Sequence, residues 1–115
     1  MLLSHMTDKI IVLTTCGSAE EAERIARFLV EAKLAACVAV TPGIRSIYRW
    51  EGAIEQSEEW SVSIKSRRDL FETLSAELRR LHSYRTPEIL AIAVVEGGAS
   101  YLQWMDGELR PTADA

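Results

Sequence analysis

The stretch Ala36-Cys37-Val38-Ala39-Val40-Thr41-Pro42-Gly43-Ile44-Arg45-Ser46-Ile47-Tyr48-Arg49-Trp50 decides the fold. Its β-branched and apolar residues read as one long strand. Pro42-Gly43 interrupts the run, but the alternation resumes beyond it, so the pair predicts a bulge or bend rather than an end. Past the interruption, Ile44, Ser46, Tyr48 and Trp50 share one face, and Arg45, Ile47 and Arg49 share the other. Glu51-Gly52-Ala53 turns the chain. A third strand follows, in which Trp60, Val62 and Ile64 alternate with Ser61, Ser63 and Lys65. The two strands predict a long hairpin.

Working outward, the run from Ile10 to Thr15 reads as a buried first strand that Gly17 breaks. Ser18 and Glu21 form a capping-box pattern. Ala22, Ile25, Ala26, Leu29 and Val30 then recur at helical spacing, which predicts a helix from Ala19 to Lys33. After the hairpin, Ser66-Arg67-Arg68-Asp69 looks like another helix start. Leu70, Leu74, Leu78 and Leu81 form the ridge of a second helix ending near His82. Thr86-Pro87 forces extended chain. Ile89 to Val95 is a fourth strand, apolar enough to be buried on both faces or central in its sheet. Gly97-Gly98 ends it, and Ser100 to Met105 makes a short last helix. The order β-α-β-β-α-β plus a short C-terminal helix predicts an α+β fold of the ferredoxin-like, split βαβ plan. We expect one domain over residues 8–110, a loose arm over residues 1–7 that holds His5, and a loose tail over residues 111–115.

Length carries one further expectation. A helix of this kind spans about 25 Å at 1.5 Å per residue. The strand from Ala36 to Trp50 spans nearly twice that at about 3.3 Å per residue. The hairpin therefore overhangs its covering layer. A bare ribbon carrying Ile44, Ile47, Tyr48, Trp50 and Trp60 is sticky in water, and its free edges predict sheet pairing with other copies.

Composition narrows the function classes. The chain has 115 residues, 48% of them hydrophobic, 26% charged, and a net charge of −4. That balance supports one packed core and argues against nucleic acid as a partner. The basic doublets Arg67-Arg68 and Arg79-Arg80 read as solvated helix faces. No apolar run reaches the ~20 residues of a membrane span. The start lacks the pattern of a secretory signal. The protein is expected in the cytoplasm with Cys16 and Cys37 reduced.

Candidate site residues collect at the ends of elements. His82 is a candidate metal ligand, a general acid/base, or a residue favoured at a helix C-terminus. Glu88 is a candidate cation ligand or an ion-pair partner of Lys65 or Arg85. Cys16 precedes a helix N-terminus, where the dipole lowers a thiol pKa, so it is a candidate reactive or ligating thiol. Cys37, between alanines, is expected to be a small buried hydrophobe. Tyr48, Trp50, Tyr84, Tyr101 and Trp104, with Lys65 and Arg85, are candidates to line a ligand cleft. The aromatic residues equally suit a subunit interface. There is no G-x-S-x-G, phosphate loop or G-x-G-x-x-G, so no enzyme activity is expected.

Several stretches together resemble the CutA family of divalent-cation tolerance proteins. They are Ala35-Ala36-Cys37-Val38, Pro42-Gly43, Ser46-Ile47-Tyr48-Arg49-Trp50-Glu51-Gly52, Ile64-Lys65, His82-Ser83-Tyr84-Arg85-Thr86-Pro87-Glu88-Ile89 and Tyr101-Leu102-Gln103-Trp104, in family order. The resemblance implies a ferredoxin-like protomer in a tight homotrimer, similar in architecture to the PII signalling proteins. It also implies an association with copper and other divalent cations. The expected function is therefore a homotrimeric copper-tolerance protein that holds a metal ion or small ligand between subunits, with His82, Glu88 and Cys16 as metal candidates. Alternatives are a PII-like sensor of a small anionic metabolite and a structural trimer that docks a partner protein. Two positions depart from the family pattern. Ser83 stands where proline is usual and is expected to loosen the loop. Arg85 stands where an acidic or amide residue is usual and adds a cation beside the suspected cation site. On the first strand, Thr14 stands where the family carries a cysteine.

Overall fold

The computed structural model describes residues 6–112. Its elements run β1 (Lys9–Cys16), α1 (Ala19–Glu31), β2 (Cys37–Trp50), β3 (Ala53–Arg67), α2 (Phe71–Leu81), β4 (Leu90–Ala93) and α3 (Ala99–Glu108), with a 3-10 turn at Arg68–Leu70 ahead of α2. The four strands form one antiparallel sheet in the order β2-β3-β1-β4. This is the split βαβ plan. Ile10, Val12 and Cys16 of β1 and Val62 and Ile64 of β3 bury one sheet face against Ala22, Ile25 and Leu29 of α1 and Leu74 and Leu78 of α2.

The hairpin follows the alternation. Its register slips between Thr41 and Ile44, at the predicted bulge, where Gly43 takes φ +76°. Glu51 and Gly52 both have positive φ, which is the geometry of a tight two-residue hairpin turn. β2 has 14 residues and α1 has 13. At about 3.3 and 1.5 Å per residue the ribbon outruns the helix by more than twofold. Ile47 and Ile54 on the overhang are 67% and 68% exposed.

α1 starts on half of its capping box. The Ser18 hydroxyl accepts from the Glu21 N–H at 3.2 Å, while the Glu21 carboxylate goes elsewhere. α1 ends in a Schellman closure: Leu34 N–H donates to Leu29 C=O and Lys33 N–H to Val30 C=O, with Lys33 at φ 60°. Just past α3, the Arg110 backbone N–H donates to Lys33 C=O and its side chain to Ala32 C=O, which ties the chain to the C-terminal end of α1.

Five expectations are corrected. Ser66 does not cap α2. It belongs to β3 and donates to Leu34 C=O at 2.6 Å, and α2 begins later without a side-chain cap. Arg67 is not a solvated helix residue. It is 1% exposed and held by Asp69 at 2.7 Å and Asp106 at 3.2 Å, which ties α3 to β3. β4 is neither central nor buried. It pairs only with β1, and Leu90 and Ile92 are exposed. Cys37 is only half-buried, because it stands opposite Lys65 on the sheet face turned away from α1 and α2. Thr7, expected in the loose arm, is pinned to Val94 C=O through its N–H and hydroxyl. His5 and residues 113–115 lie outside the described residues.

Candidate functional site

β1 ends at Cys16 and α2 ends at His82, and the fold brings these two ends together. Cys16 Sγ lies 3.9 Å from His82 Nε2, and Glu21 from the first turn of α1 completes a group whose ligand atoms fall within 4.8 Å of one another. All three side chains are buried. His82 Nε2 donates to Thr15 C=O at 2.7 Å, and His82 Nδ1 accepts from the Tyr84 N–H at 3.1 Å. Those two bonds select the neutral ring with its hydrogen on Nε2. The Glu21 carboxylate accepts from Ser83 N–H at 2.7 Å and from the Ser83 hydroxyl at 3.1 Å.

The cluster reverses two expectations. Ser83 does not loosen its loop, because both of its donors are tied to Glu21. A proline there would have no N–H to give. Nor is the Cys16 thiol activated. Burial pushes its pKa up to about 11, and the nearby charges of Glu21 and Glu59 push the same way. Burial outweighs the helix terminus here, since desolvation penalises a thiolate directly. Thr14, one strand period earlier on the same face, is buried, and its hydroxyl has no hydrogen-bond partner among the described residues.

The donor set suits a thiophilic divalent ion: one sulfur, one imidazole nitrogen and one carboxylate oxygen. Two such ligands around a tetrahedral ion at ordinary bond lengths stand about 3.6 Å apart, close to the Cys16–His82 separation. Binding there must displace the thiol proton and the Nε2 hydrogen, both of which the protein holds. Glu88 is not in this group.

Glu88 and Arg85 instead line a cleft of about 590 Å³ with Tyr48, Trp50, Tyr84 and Glu59. Glu59 alternates with Trp60 along β3, so it lies on the face away from the helices. It is nevertheless only 6% exposed. Tyr84 donates its hydroxyl to Glu59 at 2.8 Å. Burial, then that bond, lifts the Tyr84 phenol well above its ordinary range. The ring lies over Gly17, where an added Cβ would come within 3.1 Å of the Tyr84 hydroxyl oxygen. It also packs on His82, with ring centroids 4.8 Å apart, so cluster and cleft share a wall.

The remaining candidates form a separate group. Lys65 donates to the Tyr101 hydroxyl at 3.1 Å, which raises the lysine pKa, and Tyr101 packs on Trp104. Lys65 is six residues along β3 from Glu59, about 20 Å away. The cleft read from the sequence is thus two places. Glu21 and Glu59 were missed. Glu21 reads as a capping residue, and nothing local marks Glu59 as buried.

Residues 10–108 match the family model "CutA1 divalent ion tolerance protein". A Thermus thermophilus divalent-cation tolerance protein CutA is 42% identical over 95 residues, which is 83% of this chain and 92% of that protein. A chloroplastic CutA from Arabidopsis thaliana is 36% identical over 93% of this chain and 59% of its own length. The crystal structure of CutA from Xylella fastidiosa superposes with a TM-score of 0.88 at 38% identity, covering 90% of this chain and all (100%) of that one. Sheet order, hairpin and chain-long similarity agree, and the chain belongs to the CutA1 divalent ion tolerance family.

Proposed function

We propose that this chain acts in divalent-cation tolerance by taking a thiophilic divalent cation at Cys16, Glu21 and His82. The observation that carries the reading is the convergence of those three buried donors within 4.8 Å. Cys16 and His82 supply the soft and borderline ligands, and Glu21 supplies charge. Such a ligand set ranks first-row ions in the Irving–Williams order, which makes copper(II) the tightest of them. Titration of chelator-stripped protein with Zn²⁺ and Cu²⁺ tests it. Cys16→Ser and His82→Ala should each lose binding tenfold or more, and Glu88→Gln should not. Parent-like affinity in His82→Ala overturns the reading.

The same proposal includes a homotrimer. Two features support it: the exposed apolar residues of the overhang, and the free outer edges of β2 and β4, with Leu90 and Ile92 on the latter. Edge strands of this kind pair readily with another chain. Sedimentation equilibrium should give three times the chain mass. A folded monomer at micromolar concentration contradicts it.

A further inference from the structure

The geometry points to the cleft around Glu59 as a second site, one that takes a small organic ammonium ion. Glu59 is a carboxylate buried to 6% exposure, and it forms no ion pair among the described residues. Only one of its oxygens accepts a hydrogen bond, from Tyr84, and that donor is neutral. A buried charge without a counter-charge is expensive, and a ligand cation that supplies one recovers that cost. The walls define which cation. Trp50, Tyr48 and Tyr84 line the same space, and aromatic faces attract ammonium groups. The volume, about 590 Å³, is that of a pocket for a small molecule rather than an ion.

The wall carries two carboxylates, Glu59 and Glu88, against one guanidinium, Arg85, so its balance is negative, and neither Glu88 nor Arg85 is engaged in an ion pair among the described residues. The ligand therefore places its protonated amine at Glu59 and its apolar body against Trp50 and Tyr48. The site is distinct from the Cys16–Glu21–His82 group and does not require it to be loaded.

Calorimetric titration of the intact, assembled protein in chelator tests this, with 2-phenylethylamine and its charge-reversed counterpart 3-phenylpropionate as probes. The amine should bind saturably and the carboxylate should not. Glu59→Gln keeps an acceptor for Tyr84, so it should fold with the parent's denaturation midpoint yet bind the amine at least tenfold more weakly. Tyr48→Leu should weaken it several-fold and is the variant to use if Glu59→Gln does not fold. Cys16→Ser leaves the His82 contacts of Tyr84 in place, so it should lose the metal and retain amine binding, which separates this site from the metal reading. Preference for 3-phenylpropionate, no amine binding by the parent, or unchanged affinity in Glu59→Gln overturns the proposal.

Discussion

The Cys16–Glu21–His82 cluster and the Glu59 cleft share Tyr84, and they solve the burial of polar groups in opposite ways. In the cluster every polar atom faces an internal partner: Ser83 holds Glu21, and Thr15 and Tyr84 hold the two His82 nitrogens. In the cleft Glu59, 6% exposed, has one neutral donor and an open side. A satisfied group resists change, because any newcomer must displace a bond already made. An under-satisfied group invites a ligand, because the cost of burial is already present in the empty protein. On the proposed readings, the cluster opens only to an ion able to remove protons, and the cleft stands ready for its ligand.

The most damaging way to break the cluster is Glu21→Ala. It strands the Ser83 N–H, and the loop between α2 and β4 loses its anchor. We expect a loss of about 3 kcal/mol in urea unfolding, the range for removing a buried charged acceptor. A loss below about 1 kcal/mol means that Ser83 is not held as described.

Alkaline pH strikes both regions. Burial pushes the Cys16 thiol up to about 11 in the folded protein, well above an ordinary thiol. Its contribution to stability is complete below pH 9 and is lost as pH rises towards 11. Tyr84 acts with the same sign from about pH 10 upward, its ordinary phenol value. Unfolding midpoints should fall across this window, and less steeply in Cys16→Ser. Equal slopes for the two proteins remove Cys16 from the account.

A finer comparison uses the thiol as a local electrometer. Both Glu21 and Glu59 raise its pKa, Glu21 the more, and burial more than either. Glu21→Gln should lower the value by more than Glu59→Gln, and neither should bring it to an exposed thiol's value. Thiolate absorbance against pH measures this, and the reverse order would misplace the two carboxylates. The smallest effect is at Thr14, whose buried hydroxyl has no partner. Thr14→Val should gain up to about 1 kcal/mol. A loss would show that the hydroxyl is satisfied after all.

The fold was legible because it rests on periodicity. The alternation through Ile44–Trp50 and Trp60–Lys65, the break at Pro42-Gly43 and the leucine ridge of α2 all survive in the structure. What failed was partnership at a distance. Arg67 reads as a surface residue because Asp106, which buries it, is 39 positions away. Ser66 reads as a cap because its true acceptor is Leu34. β4 reads as central because an apolar strand needs cover, and sequence does not say whether the cover comes from within the chain. In the site, Cys16 and His82 were recognisable by residue type and position. Glu21 was not, because a capping box explains it locally. Glu59 could be assigned to the outer sheet face by period, but its burial under Tyr84 depends on Gly17 letting the ring approach.

The most direct measurement is the pH dependence of Zn²⁺ binding to the metal-free protein, followed by calorimetry in two buffers of different ionisation enthalpy. With the Cys16 thiol protonated at neutral pH, each ion bound should release at least one proton, and affinity should rise about tenfold per pH unit between pH 6 and 8. Affinity that is flat with pH, with no proton released, would place the cation elsewhere than the Cys16–Glu21–His82 cluster.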